Sequence, residues 1–341
     1  RYFGASDITL PYANAYFTIY LTGTVFALMS TGMNQFIICQ GFAKTGMATV
    51  LIGAICNIVL DPVFMFGFGL GVSGAALATI LSQAVSCAWV LAFLCGKKTR
   101  LRLSARYFRP DWGMLGKVAA LGLSPFIMQA TESLLNIALN SSLQRYGGDN
   151  AVAAVVVFNR FVTIFVFIII GLCQGMQPIV GYNYGSGRYR RLVHTFTLAA
   201  IVGVVVSTLG SVTGALAPRA IASMFMQDEA QIECAVNCLR ITTLTFWMVG
   251  FQIVTTNLFQ ALGMAAKSIF LSLTRQIIFM IPLLFTLPHF WGLDGVWASY
   301  PIADLLSVVV AAVMLAVLMK KIRRQSRLEP KMTPAEVERQ L

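Results

Sequence analysis

Nine long apolar stretches divide this chain, at residues 12–37, 45–68, 72–96, 118–143, 151–176, 192–217, 235–261, 268–291 and 295–319. A hydrocarbon core of about 30 Å is crossed by roughly 20 apolar residues in a helix. No water reaches the backbone there, so each stretch must satisfy its own amides as a helix. Turn residues separate the stretches: Gly41, Gly69 with Gly71, Gly147-Gly148, Gly185 to Gly187, Gly263 and Gly292. Charged residues make up only 11% of the chain, against roughly 25% in soluble domains. A water-covered surface cannot be assembled from this material, which excludes a soluble enzyme or DNA-binding protein. The expected fold is an all-α polytopic membrane bundle.

Lys and Arg then orient the spans. Lys44, the run from Lys97 to Lys117, Arg188, Arg190, Arg191, Lys267 and the tail from Lys320 to Arg339 all follow odd-numbered spans. The opposite side carries Arg1, Arg145 and Arg219 among Asp7, Asp149, Asp228, Glu229, Glu233 and Asp294. The first span therefore enters from outside and the C-terminal tail is expected in the cytoplasm. The net charge of +12 is a topology signal and an attraction to anionic lipid; nucleic acid is not an expected partner.

A weak duplication recurs at a spacing of about 221 residues. Gln40 to Thr45 resembles Ala261 to Ser268, Asp61-Pro62 resembles Ile281-Pro282, and Gly71-Val72-Ser73-Gly74 resembles Gly292-Leu293-Asp294-Gly295. Spans 1–3 thus read as copies of spans 7–9. Four regions are expected: residues 1–96 as three helices of an N-terminal lobe, 97–117 as a cytoplasmic connector along the membrane surface, 118–319 as a six-helix C-terminal lobe, and 320–341 as a basic tail. In the tail, Thr333-Pro334-Ala335-Glu336 reads as a capping box. If both lobes have six helices, three further spans precede Arg1. Parallel repeats of this kind are a transporter architecture, with the substrate passing between the halves.

A polar or charged side chain within hydrocarbon is expensive, so each is a functional candidate. Asn57 and Asp61 stand four apart on one helix face. Thr79, descending the next span, reaches a similar depth. Their oxygens suit a hard cation such as Na⁺, burial of Asp61 would favour a carried proton, and a plain interhelical hydrogen bond beside Pro62 would also place them there. Gln129, Glu132, Ser133, Asn136 and Asn140 form a polar stripe on span 4, which lines a cavity or packs on another helix. Arg160 sits level with Glu132, so the two either pair or leave Glu132 open to a cation or proton. Asp304 lies near mid-membrane on span 9. Arg275 is nearer the cytoplasmic face by roughly 10 Å at helical rise, so no direct pair with Asp304 is expected without bending. Gln252 and Asn257 on span 7 wet a pathway or bridge helices. Gln129, Asn136, Arg160, Gln252, Asn257 and Asp304 are the candidates for lining a substrate cavity.

No phosphate loop, nucleophile elbow, paired-carboxylate repeat or His-containing metal cluster is present. No enzyme, cofactor or structural metal is expected. A membrane-embedded lipid-modifying enzyme is kept as a remote alternative.

Asn57-Ile58-Val59-Leu60-Asp61-Pro62 with Gly71-Val72-Ser73-Gly74-Ala75-Ala76-Leu77-Ala78-Thr79 resembles the fifth and sixth helices of the multidrug and toxic compound extrusion (MATE) family. Leu121-Gly122-Leu123-Ser124-Pro125 with Glu132 resembles its seventh helix. Gln174-Gly175-Met176-Gln177-Pro178 with Gly181-Tyr182-Asn183-Tyr184-Gly185 resembles the end of its eighth. The likeness runs from the family's fourth helix to its twelfth. It implies two helical lobes and a monomeric antiporter in a bacterial-type plasma membrane. Such a protein exchanges Na⁺ or H⁺ for small organic, often cationic, compounds by alternating access. On that resemblance Asn57, Asp61 and Thr79 match N-lobe cation positions and Glu132 the seventh-helix acid. The first-helix Asp of the family has no counterpart here, nor does span 7 carry the tenth-helix acid of some members. A flippase for lipid-linked oligosaccharides in the same superfamily is the alternative, and it would need a strongly cationic cavity.

Overall fold

Residues 10–99, 101 and 111–326 are described in a computed structural model, and among them every regular element is a helix. Most of the connector and the tail's capping box fall outside these residues. The chain separates into two compact units, one ending at Asp111 and the other beginning at Trp112.

The first unit holds α1 (Leu10–Cys39), α2 (Ala43–Pro62), a π-helical turn (Val63–Gly67) and α3 (Gly71–Cys95). Small residues let these helices approach: a side chain at Gly23 would strike Ile80, and one at Gly53 would strike Ser86. Buried polar groups tie the three together. Thr49 Oγ1 donates to Asn34 Oδ1 at 3.0 Å, Asn34 Nδ2 donates to the Gly46 carbonyl at 3.2 Å, and Ser86 Oγ donates to the Thr49 carbonyl at 3.1 Å. Packing and interhelical hydrogen bonds drive association where lipid is as apolar as the side chains. Asn34→Leu, which removes two of the three bonds, should therefore cost about 1–2 kcal/mol. Thermal unfolding in detergent reads this, and an unshifted transition would show that the cluster holds nothing together.

The second unit comprises α4 (Trp112–Gly185), α5 (Tyr189–Leu216), α6 (Pro218–Ser223), α7 (Glu229–Thr242), α8 (Phe246–Ala261), α9 (Ala265–Leu273), a π-helical turn (Thr274–Met280) and α10 (Ile281–Ser326). Two apolar clusters fill it. One gathers Leu143, Phe158, Leu239, Leu284 and Trp297; the other gathers Ile169, Leu192, Leu258, Phe259 and Ile322.

Among the described residues, six helices are long and apolar enough to cross a membrane, which makes this an integral membrane protein. The difference from nine stretches has two physical sources. α4 carries two of the stretches across an internal break at Gly148 (φ 60°), and the continuous run from α9 through α10 carries two more across Gly292 (φ 56°), a left-handed conformation that only glycine adopts without strain. α1 covers 12–37, but its Tyr, Thr, Ser and Asn residues dilute its hydropathy.

The duplication is visible in the backbone. Gly41 and Gly263 both take positive φ (90° and 71°), as do Gly71 and Gly292 (54° and 56°). The Phe42 and Met264 amides both reach back five residues, to the carbonyls of Ile37 and Phe259. A Cβ on Gly74 would lie 2.6 Å from the Phe64 carbonyl oxygen, and one on Gly295 2.5 Å from that of Leu287. The π-helical turns are not copied: one follows Pro62 in the first unit, while the other precedes Pro282 in the second.

Candidate functional site

In the first unit the i, i+4 spacing does what helical geometry dictates. Asn57 Nδ2 donates to Asp61 Oδ1 at 3.1 Å, and both residues are half-buried. The bond spends an amide N–H, so the Asn57 carbonyl oxygen and the second Asp61 oxygen remain as acceptors. Thr79 Oγ1 donates to the Ala75 carbonyl at 2.9 Å and makes no bond to the pair. Gly53 packs on Ser86 and Gly74 on Phe64, so α2 and α3 run antiparallel in a register that sets Thr79 level with Leu60. The three residues thus lie within one helical turn in depth, with no cationic side chain among them.

In the second unit a cavity of about 620 Å³ opens between α4, α7, α8, the π-helical turn and α10. That lies within the roughly 300–1,000 Å³ of small-molecule sites. Gln129, Glu132 and Asn136 enter it from one face of α4, Asn159 and Thr163 from beyond the Gly148 break, Arg275 and Gln276 from the π-helical turn, and Tyr300 and Asp304 from α10. Phe158, Val162, Phe167, Val249 and Met280 supply apolar wall.

Arg275 and Asp304 are bonded, Nε to Oδ1 at 2.8 Å. This corrects the expectation from uniform helical rise. A π-helical turn packs an extra residue into a turn, here at Thr274–Met280, and the long guanidinium side chain covers the remaining distance. The pair was detectable through the repeat. Asp304 is the counterpart of Gln83, and the α2–α3 register carried forward by 221 residues brings Asp304 level with Ile277, within a turn of Arg275.

Among the described residues Glu132 and Arg160 make no ion pair; both are exposed, and Arg160 does not line the cavity. Gln252 lies in the packed interior, where its Oε1 accepts from Ser307 Oγ at 2.8 Å. Asn257 Oδ1 accepts from Gln177 Nε2 at 3.0 Å, bridging α8 to α4. Neither Gln252 nor Asn257 lines the cavity. Arg275, Gln276, Asn159 and Thr163 were not foreseen as lining residues. The signal for the last two was the i, i+4 polar pair itself, masked by reading Arg160 as the residue that faces inward.

A sequence model of the MatE family matches residues 125–286. The chain is 26% identical over 322 residues to the multidrug export protein MepA of Staphylococcus saprophyticus, covering 92% of this chain and 69% of that protein. It is 27% identical over 307 residues to MepA of Staphylococcus haemolyticus, covering 90% and 67%. Solved structures share the fold. An outward-facing multidrug resistance MATE family transporter of the MOP superfamily superposes with a TM-score of 0.88 at 24% identity, over 95% of this chain and 73% of that one. A MATE crystal structure in the bent conformation does so with a TM-score of 0.88, also at 24% identity, over 96% and 73%. The glycine-framed repeat, the bundle of apolar helices and these matches agree: the chain is similar to the MATE family over residues 125–286 and has the fold of its solved transporters.

Proposed function

We propose that the protein is a secondary multidrug efflux transporter that exchanges Na⁺ or H⁺ for small organic compounds, often cationic, by alternating access. The observation that carries this reading is the state of Asp61. It is a carboxylate in the last turn of α2, inside the apolar span Ala43–Gly67, held by a neutral amide and, among the described residues, by no cation. A carboxylate locked to arginine is structural, whereas one that retains a free oxygen can take up and release an ion. Asn57 orients it, and the Thr79 hydroxyl stands at matching depth to complete an oxygen-lined site. Ion exchange there biases the bundle between states, as coupling requires.

The second-unit cavity suits the cargo: apolar and aromatic walls with a few polar groups, including Glu132 and Asp304. A lipid-linked diphosphate would want the opposite sign, and Arg275 is already bonded to Asp304. That weighs against the flippase. The first unit corresponds to part of an N-terminal lobe and the second to a six-helix C-terminal lobe. The Lys/Arg asymmetry sets the C-terminal tail in the cytoplasm.

Purified protein in liposomes loaded with ethidium tests the proposal. An imposed inward Na⁺ or proton gradient should drive dye transport against its own gradient, and collapsing that gradient with an ionophore should stop it. Dye movement indifferent to both gradients would remove the antiport reading.

A further inference from the structure

Three ionised side chains line the cavity of the second unit, and two of them cancel. Arg275 donates from Nε to Asp304 Oδ1 at 2.8 Å, with the side chains 34% and 6% exposed respectively. A guanidinium does not deprotonate in a protein, so Arg275 is a fixed positive charge on the cavity wall. Left alone it would repel a cation and attract an anion. Glu132, on α4, lines the same cavity, is exposed and forms no ion pair among the described residues. The three groups therefore sum to a single negative charge.

We infer that Asp304 determines cargo specificity by cancelling Arg275 rather than by touching the cargo, which leaves Glu132 as the one uncompensated charge among the described lining residues and fits the cavity to an organic monocation. Asp304 is then a positioning residue of the electrostatic field. The inference rests on the exporter reading and adds to it the residue that sets the cavity's sign. Its burial argues against direct contact: the Asp304 side chain is almost wholly enclosed, whereas a third of the Arg275 side chain is exposed.

Tetraphenylphosphonium and tetraphenylborate test this, being nearly the same size and opposite in charge, so their apolar contributions cancel in the ratio. Binding is measured on purified protein in detergent, with empty micelles subtracted. The wild type should favour the phosphonium. Asp304→Asn leaves Arg275 uncancelled and brings the sum to zero. It should weaken the phosphonium by about tenfold and strengthen the borate by about tenfold, the effect of one unit charge about 12 Å away at an effective dielectric of about 20. The double variant Arg275→Gln/Asp304→Asn restores a sum of minus one and should return both affinities to within about threefold of wild type. Adding Glu132→Gln to the double variant should abolish the preference. If Asp304→Asn does not survive purification, the comparison of double with triple variant still decides.

A double variant as weak for the phosphonium as Asp304→Asn alone would mean that Asp304 contacts the cation itself, which overturns the inference and leaves the exporter reading standing. A wild type that does not favour the phosphonium would overturn the cationic-cargo reading and the inference together.

Discussion

Gly250→Val is expected to abolish a stable fold of the second unit. α5 and α8 meet along a seam of small residues in which Gly250 faces Gly203 and Ser207. A Cβ on Gly250 would collide with the Gly203 carbonyl oxygen and lie 2.5 Å from Ser207 Oγ. Neither obstacle is the loose end of a flexible side chain. Further along, a Cβ on Gly203 would meet Val254 at 2.9 Å and one on Gly210 would meet Phe246 at 2.7 Å. The close approach lets hydroxyls reach across: Ser207 Oγ donates to the Trp247 carbonyl at 2.8 Å, and Ser211 Oγ to the Thr243 carbonyl at 2.5 Å. Separating the helices loses both bonds together with the packing, and no hydrophobic effect between helices in lipid compensates. Overpacking by a single methyl costs about 1–3 kcal/mol, so Gly250→Ala alone should lower stability by that much. Val should leave no monodisperse protein by size exclusion. Gly171→Ala is the control: nothing lies within 4 Å of its Cβ position, and alanine should be neutral or slightly stabilising in a helix. If Gly250→Ala behaves like Gly171→Ala, the seam is not what holds these helices.

That seam shows what a sequence conceals. Gly203, Ser207, Gly210, Ser211 and Gly214 recur on one face of span 6, but nothing in one chain says which helix they meet. The same holds for Asn34, Thr49 and Ser86, whose partners lie 12, 15 and 37 residues away. Features set by local geometry were legible: the apolar stretches from length and hydropathy, the reversals from glycine, and the Asn57–Asp61 bond from i, i+4 spacing. Depth counted at uniform rise misled for Arg275, because a helix that changes its winding changes depth per residue. Burial of Gln252 beside Ser307 was hidden for another reason. An amide that bridges helices and one that wets a pathway look alike until the neighbour is known.

The two copies of the repeat use one backbone frame for different electrostatics. At Gln83 the first copy has an uncharged amide whose Oε1 is buried without a partner among the described residues. The counterpart in the second copy is Asp304, bonded to Arg275, and the position 221 residues before Arg275 is Ala54. Conversely Asp61 aligns with the apolar Ile281. Each copy thus carries its acid where the other has none: one beside a neutral amide, open to ion exchange, the other neutralised within a cavity wall. On the proposed function, coupling falls to the first unit and cargo sign to the second, and Asp61 is the residue whose loss should hurt transport most.

Asp61→Asn should abolish gradient-driven efflux while preserving the fold. The substituted amide keeps an oxygen that can accept from Asn57 Nδ2, so the local hydrogen bond survives and stability should change by less than about 1 kcal/mol. What disappears is the full negative charge. At 4 Å and an effective dielectric of about 20, a carboxylate attracts a monovalent cation by about 4 kcal/mol, which corresponds to nearly a thousandfold in affinity. Even a tenth of that factor puts the site out of range of ordinary Na⁺ concentrations. If the coupling ion is H⁺, the loss is complete, since an amide has no carboxylate to protonate. Either ion predicts the same result in ethidium-loaded liposomes: dye still equilibrates down its own gradient but no longer moves uphill when Na⁺ or pH is stepped. Asp61→Glu restores the charge one methylene further out and should recover part of the coupled flux, whereas Asn57→Leu, which removes the orienting amide but not the charge, should weaken coupling by a smaller factor. Undiminished uphill transport by Asp61→Asn would take the first unit out of the coupling mechanism and leave Glu132 as the remaining candidate for the coupling acid.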